Sequence, residues 1–185
     1  KLGGSPKTAK KTEDGKEVKS KSAGMAGMFG MMNGARMGVG IQGIAVGEVS
    51  LQNGAAYTLE RTAGRALTGA QNPDDAADPI IVYPDVRRLL LQSRAFVEGA
   101  RALAMYVSML FSVQNNAADE KEREEASDLS QLLTPIIKAY FTDKGFETAN
   151  ASMQVFGGHG YVRDHGMEQF VRDARINQVY EGANG

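Results

Sequence analysis

Hydrophobic residues recur at every third or fourth position over three long stretches of the chain, the spacing of one helix face. The first stretch runs from 23 to 63 and carries Met25, Met28, Met32, Ala35, Val39, Ile44, Val46 and Leu51. The second, from 85 to 114, keeps this spacing with almost no slip. The third runs from 129 to 156 and tolerates Pro135 if that residue lies in the first turns or at a bend. The pattern predicts three long helices.

The segments between these stretches lack this regular spacing of hydrophobic residues. Residues 64–84 are rich in glycine, proline and asparagine, which predicts a long loop or cover segment. Residues 115–128 hold six acidic residues against Lys121 and Arg123, which predicts a solvated loop or a helix start. Since no convincing alternating strand pattern occurs, we predict an all-α protein with an up-down helical bundle.

The first stretch is unusually rich in glycine. It contains nine glycines, each costing about 1 kcal/mol relative to alanine inside a helix. We therefore expect this helix to be packed tightly on most sides, with its methionines filling the core. Residues 38–43 spell G-x-G-x-x-G, but no β-branched run precedes them, so the motif does not predict a dinucleotide site.

Composition and charge exclude several function classes. The chain has 185 residues, no cysteine, two histidines and a net charge of -1. Disulfides and thiolate chemistry are therefore excluded, and we expect no metal site, no nucleic-acid partner and no membrane span.

Residues 1–22 carry seven lysines, which predicts a linker or the end of a preceding β domain. We expect 23–185 to be one helical domain, incomplete at its C-terminus, in a fragment of a longer protein.

Two motifs near the C-terminus carry candidate chemistry. Residues 154–161 place a Gly-Gly turn after a helix, and exposed backbone amides there suit a diphosphate. Residues 180–182 place a carboxylate on a Tyr-Glu-Gly turn. The alternative is a helix C-cap followed by a surface turn, and the residue types alone leave both open. His159 and His165 are expected to be displayed on loops rather than to bind a metal.

The run from 154 to 185, QVFGGHGYVRDHGMEQFVRDARINQVYEGANG, closely resembles the C-terminal signature of acyl-CoA dehydrogenases. Residues 33–36 (NGAR) and 57–61 (YTLER) also stand where that family has related residues. The insertion at 64–84 and the acidic stretch resemble a larger branch that includes 3-(methylthio)propionyl-CoA and some long-chain enzymes. The resemblance covers about 24–185 and implies the C-terminal helical domain of a larger α/β/α enzyme.

This resemblance implies a catalytic base and a substrate site. Glu181 would take the α-proton of an acyl-CoA thioester while the β-hydrogen leaves as hydride to flavin N5, giving the trans-2-enoyl-CoA. The backbone amide of Glu181 would stabilise the thioester carbonyl. Arg36 and Asn33 would bind the CoA part of the substrate. Ala183 stands where many members carry a hydroxyl near the flavin, which puts that contact in doubt.

The resemblance also implies a cofactor and partners. Arg61 would reach the pyrophosphate of FAD in a neighbouring subunit, and Gln154, Gly157 and Gly158 would border its adenosine end. The expected partners are electron-transfer flavoprotein and further copies of the chain in a homodimer or homotetramer. The expected location is the bacterial cytoplasm or the mitochondrial matrix.

Two alternatives remain open at the level of sequence. One is a non-catalytic helical oligomerisation module of the same fold, and the other is an acyl-CoA oxidase that passes electrons to oxygen. We do not expect the isolated chain to turn over substrate, because the resemblance places the rest of the acyl pocket in other domains.

Overall fold

The computed structural model describes residues 23–185, and the predicted linker at 1–22 lies outside the described residues. Its helices are α1 (Ala23–Glu60), α2 (Pro84–Asn116), α3 (Glu120–Val155) and α4 (Met167–Asn177). Within residues 23–185 there is no strand, only an isolated bridge between Thr62 and Pro79. The predicted all-α helical bundle is confirmed.

The glycines of α1 allow it to cross α3 at backbone contact. A β-carbon at Gly43 would lie 2.6 Å from the carbonyl oxygen of Phe141, and one at Gly145 would lie 2.4 Å from the carbonyl oxygen of Gly43. At such a crossing the helices gain dispersion contacts that offset the low helix propensity of glycine. The G-x-G-x-x-G run therefore lies inside a helix, as expected, and not after a strand.

One hydrophobic core joins α1, α2 and α3. Its buried members are Met37, Ile44, Phe96, Val97, Ala100, Ala104, Val107, Ile137 and Phe141. A second cluster joins the end of α3 to α4 and comprises Val155, Phe156 and Met167. The second cluster packs α4, which precedes the C-terminal segment, against the end of α3.

Helix α2 is long and apolar enough to cross a membrane by length and composition alone. The sequence analysis did not predict a candidate membrane span in α2, because the sequence of this helix contains no long uninterrupted apolar run. The core helix of a soluble protein gives the same weak signal. Val97 and Val107 of α2 are 1% and 0% exposed and pack inside the bundle, whereas Leu91, Met105 and Met109 on the same helix are 66%, 69% and 52% exposed.

The acidic stretch is a helix start rather than a loop. Helix α3 begins at Glu120, and the side chain of Asp119 caps it by accepting a hydrogen bond from the backbone amide of Lys121 (3.2 Å). Carboxylates in a first helical turn also interact favourably with the helix dipole. Because α3 begins this early, Pro135 lies well inside the helix, not in its first turns. Pro135 and Gln131 are both exposed, so water can hydrate the carbonyl that proline leaves unpaired.

The expectation that the methionines of α1 fill the core is wrong for its first part. Met28 is 47% and Met31 is 58% exposed, whereas Met37 is 7% exposed. Among the side chains that the structure describes in α1, those buried in the bundle begin at Met37. The described residues leave about half of the Met28 and Met31 side chains uncovered, so a helical apolar pattern there does not lead to burial.

The segment between α1 and α2 is the predicted cover segment, and one carboxylate organises it. Asp78 is buried and accepts hydrogen bonds from the backbone amides of Ala66 (2.9 Å), Gln71 (3.0 Å) and Asn72 (2.9 Å). These amides, with a smaller contribution from Arg65, lower the pKa of Asp78 from 3.8 to about 2. The ionised Asp78 is thus the centre of a network in which Arg65 also donates to the backbone carbonyls of Asn72 and Asp75.

Candidate functional site

Glu181 lies in the turn that follows α4. The helix is fixed by Met167, Ala174 and Asn177, which are buried, and the chain then turns at Gln178 and Val179. The backbone of Glu181 has a φ of 53° and that of Gly182 a φ of 98°. Glu181 is the one non-glycine residue with a positive φ among residues 23–185. A carboxylate residue held in this region is strained, and such strain concentrates at functional sites.

Arg36 of α1 contacts this turn. Its Nε donates to the backbone carbonyl of Glu181 at 3.4 Å, and a β-carbon on Gly182 would lie 3.5 Å from the same guanidinium. Tyr180 also donates a hydrogen bond to the side-chain oxygen of Gln42, on α1. Helix α1 therefore supports the turn from one side and brings Arg36 to the residue that the sequence paired with it.

Helix α3 supports the turn from the other side through Lys138. The Nζ of Lys138 donates to the backbone carbonyl of Gly182 at 2.6 Å and to Oδ1 of Asn184 at 2.9 Å. The Asn184 amide nitrogen in turn donates to Thr142 Oγ1 and Asp143 Oδ1, both at 2.8 Å. The segment after Glu181 is thus bonded to α3 at both ends.

Charges of both signs surround Lys138. Its burial lowers its pKa from the usual 10.5, and the cation of Arg36 lowers it further, while Asp143 and Glu181 act in the opposite direction. The backbone of the turn that carries Glu181 is therefore bonded by two cations, Arg36 on α1 and Lys138 on α3.

Asn33 lies on α1, three residues before Arg36, and is half-buried. It lines a cavity of about 460 Å³ between the beginning of α1 and the facing parts of α2 and α3. The cavity is also lined by Gly34, Met37, Phe111, Gln114 and Ser130. Since residues three apart share a helix face, Asn33 and Arg36 can contact one elongated ligand.

A second cluster lies at the opposite end of α1. Arg61 directly follows the helix, and it lines a groove of about 380 Å³ together with Gly157 and Gly158. Gly157 has a φ of 58°, and β-carbons at either glycine would meet nothing within 4 Å, so the backbone is open to a ligand there. Gln154 is exposed in the last turn of α3, just before these glycines, and is not among the residues that line the groove.

Aromatic rings form one wall of this groove. Tyr57 stacks on Phe156 with ring centroids 3.9 Å apart, and its hydroxyl is 2.9 Å from Nδ1 of His159. His159 in turn stacks on His165 at 5.4 Å. Both histidines are exposed on 3₁₀ segments, as the sequence predicted. In the part of the chain that the structure describes, no three acidic or histidine side chains group as metal ligands.

The two clusters are far apart. Arg36 and Glu60 are separated along α1 by 24 residues, which corresponds to about 36 Å at the helical rise. Arg36, Asn33 and Glu181 therefore form one site, and Arg61, Gly157 and Gly158 form another. One small reacting group cannot touch both sites in the same chain.

Sequence reasoning missed Lys138 and Asn184. Lys138 is 3% exposed, and it lies next to Ile137 in sequence and three residues before Phe141, both 0% exposed. A lysine inside an apolar helical stripe was the available signal, because buried lysines are rare unless paired. Asn184 gave no such signal, since its role depends on how the turn after α4 folds back.

The comparisons with known proteins decide the family. The chain matches the family described as acyl-CoA dehydrogenase, C-terminal domain, over residues 22–185. The chain belongs to the acyl-CoA dehydrogenase family. It is 38% identical over 165 residues to 3-methylmercaptopropionyl-CoA dehydrogenase of Ruegeria pomeroyi, which confirms the resemblance to that branch of the family. The match covers 89% of this chain and 27% of the relative, so the chain spans about a quarter of that protein's length.

Solved structures show the same fold. Butyryl-CoA dehydrogenase from Megasphaera elsdenii superimposes with a TM-score of 0.67 at 22% identity, over 89% of this chain and 37% of that one. A chain in the structure reported for the electron transferring flavoprotein of Acidaminococcus fermentans gives a TM-score of 0.67 at 25% identity, over 92% and 37%. The four helices are thus arranged as in acyl-CoA dehydrogenases.

Proposed function

We propose that this chain is the C-terminal helical part of an FAD-dependent acyl-CoA dehydrogenase in which Glu181 is the catalytic base. Its carboxylate takes the α-proton of the acyl thioester, and the electron pair of that C–H bond forms the Cα–Cβ double bond as the β-hydrogen departs as hydride. Bound FAD supplies the acceptor of that hydride at N5. The observation that carries the proposal is the strained backbone of Glu181, held between Arg36 and Lys138.

The second cluster suits the phosphates of FAD. Arg61 offers a planar fork of donors, and the glycine backbone at 157–158 approaches a ligand without steric obstruction. Because this cluster lies about 36 Å from Arg36 along α1, it contacts a different FAD molecule from the one that Glu181 faces. We propose that it contacts FAD bound by a neighbouring copy in a homodimer or homotetramer, with Gln154 nearby.

Substrate and partners follow from the family. Arg36 and Asn33 bind the CoA part of an acyl-CoA thioester, and the relative from Ruegeria pomeroyi is named for a thioester of this class. Electrons pass to an electron-transfer flavoprotein, in keeping with the Acidaminococcus fermentans structure. We place the enzyme in the bacterial cytoplasm or the mitochondrial matrix.

The proposal is tested in the full-length protein that contains this chain. Adding acyl-CoA without oxygen bleaches the flavin absorbance of the wild type, whereas Glu181→Gln keeps its FAD and is not bleached. The matched control is Glu124→Gln, which changes an exposed carboxylate of α3 and leaves bleaching intact.

Three outcomes would contradict this proposal. Unchanged reduction in Glu181→Gln would remove the base role from that residue. A wild-type protein that binds no FAD would favour the non-catalytic oligomerisation module. Stoichiometric peroxide release in air, with no reduction of electron-transfer flavoprotein, would identify an acyl-CoA oxidase.

A further inference from the structure

Lys138 is a charged side chain where the bundle otherwise buries apolar groups. It is 3% exposed, and both Ile137, which precedes it, and Phe141, three residues further along α3, are 0% exposed. Burying an ammonium group is costly unless every donor is satisfied. An apolar residue of similar volume would fill this space without that cost, so packing alone does not account for a lysine here.

The bonds of Lys138 are all directed at the segment that follows Glu181. Its Nζ contacts the carbonyl oxygen of Gly182 at 2.6 Å and Oδ1 of Asn184 at 2.9 Å. The backbone amide of Asn184 donates to the carbonyl of Gln178 at 2.9 Å, which closes the turn on itself. The turn that carries Glu181 is therefore a closed loop with its anchor on α3.

Asn184 completes this anchor from the other side. Its amide nitrogen donates to Thr142 Oγ1 and to Asp143 Oδ1, and Gln178 Nε2 donates to the same Asp143 oxygen at 2.7 Å. The side chains of Gln178 and Asn184, which flank the turn, thus both donate hydrogen bonds to the carboxylate of Asp143 on α3. The network fixes the turn in rotation as well as in position.

The conformation that the anchor holds is an unfavourable one. Glu181 has a φ of 53°, and a non-glycine residue in that region costs about 1–3 kcal/mol unless its surroundings determine it. The Arg36 contact to its carbonyl is long, at 3.4 Å, whereas the Lys138 contact to the next carbonyl is short. Of the two side chains that bond the carbonyls of Glu181 and Gly182, Lys138 on α3 therefore makes the closer contact.

We propose that Lys138 and Asn184 are positioning residues that hold the backbone after Glu181 so that its carboxylate faces the α-carbon of the substrate. This inference rests on the proposed function of Glu181. Neither residue touches the reacting atoms, and both act through the turn.

The test uses the full-length protein with Lys138→Met and Asn184→Ala. Lys138→Met removes the donors and keeps most of the side-chain volume. Asn184→Ala leaves the buried lysine in place and breaks the second half of the anchor. The control is Lys121→Met, the same substitution on the same helix, at a side chain that is 81% exposed.

We measure anaerobic flavin reduction per bound FAD at saturating acyl-CoA, with α-deuterated and undeuterated substrate. Misplacing a reacting group by about 1 Å costs roughly a hundredfold, so both variants are expected to reduce flavin about ten- to a hundredfold more slowly. The apparent KM is expected to change less than the rate, and the α-deuterium isotope effect to rise. A role in folding alone lowers the amount of protein or its melting temperature without raising the isotope effect.

The two proposals fail in different ways. If the wild type is reduced, Glu181→Gln is not, and both anchor variants match the wild type in rate and isotope effect, the positioning role is overturned and the base role stands. If Lys138→Met does not fold, Asn184→Ala decides the question. If Glu181→Gln is reduced like the wild type, both proposals are overturned.

Discussion

The backbones of Gly43 on α1 and Gly145 on α3 approach so closely that neither position has room for a β-carbon. The contact is reciprocal, because each glycine faces backbone atoms of the other helix. Backbone cannot move aside as a flexible side chain can, so this crossing sets the distance between the two helices.

Replacing Gly145 by alanine is expected to destabilise the protein. The new β-carbon would lie 2.4 Å from the carbonyl oxygen of Gly43, and overpacking of this kind costs about 1–3 kcal/mol. The gain in helix propensity, about 1 kcal/mol, does not offset the upper part of that range. Gly99→Ala on α2 is the control, since Gly99 is exposed and has nothing within 4 Å. Thermal melting of the two variants should shift in opposite directions, and equal shifts would contradict a backbone contact.

The segment between α1 and α2 is expected to loosen in acid through Asp78. A carboxyl with a lowered pKa stabilises the folded state fully above its ordinary pKa of 3.8, and this contribution is lost as the pH falls towards about 2. The protection of the backbone amides of Ala66, Gln71 and Asn72 against hydrogen exchange, relative to their intrinsic exchange rates at each pH, should therefore fall over that interval.

Asp78→Asn should lower the protection of the same amides at neutral pH, because an amide offers one acceptor oxygen where the carboxylate offers two. Asp74→Asn, at an exposed position in the same segment, serves as the comparison. Protected amides in Asp78→Asn would show that the segment is held by other contacts.

Removing the cation of Arg61 is expected to weaken FAD binding. A hydrogen bond to a charged group contributes about 1.5–3 kcal/mol, so Arg61→Met should raise the Kd of FAD roughly ten- to a hundredfold. Arg88→Met on α2, which removes an exposed arginine that bonds only to Gln92 among the described residues, is the control. Titration of the apoprotein with FAD measures the difference, and equal affinities would exclude Arg61 from the flavin site.

Arg36→Met is expected to act on substrate affinity. If its guanidinium binds the CoA part of the substrate, the KM for acyl-CoA should rise about tenfold with FAD retained, the size of one lost charge-assisted bond. Arg94→Met, at an exposed ion pair of α2, should leave the KM unchanged. A loss in flavin reduction at saturating acyl-CoA, with an unchanged KM, would show instead that Arg36 supports the Glu181 turn.

The apolar spacing predicted the long helices well because their burial follows the helical repeat. Helix α2 runs from Pro84 to Asn116 against a predicted 85–114, and the close approach of glycines in α1 was expected from their number. The start of α3 was left open, since the cap at Asp119 competes with a solvated loop of the same composition. Met28 was placed in the core wrongly, because periodicity shows which face is apolar but not whether a partner covers it.

The motifs predicted the candidate site residues, but they did not predict Lys138 and Asn184, which hold the Glu181 turn in place. Glu181 and Arg36 stand in recognisable runs, and the structure brings them together. Lys138 and Asn184 are 46 positions apart, and their contact depends on the path of the chain after α4. Long-range contacts of this kind carry no local pattern, so they cannot be predicted from one sequence.

The Gly145 crossing and the Lys138 anchor lie seven residues apart on α3, which is close to two full turns, so both face the same side of the helix. Inserting or deleting one residue between them would rotate one relative to the other by about 100°. The number of residues between Lys138 and Gly145 is therefore fixed by the need to keep both on one side of α3, whichever side chains stand on the outer face of the helix.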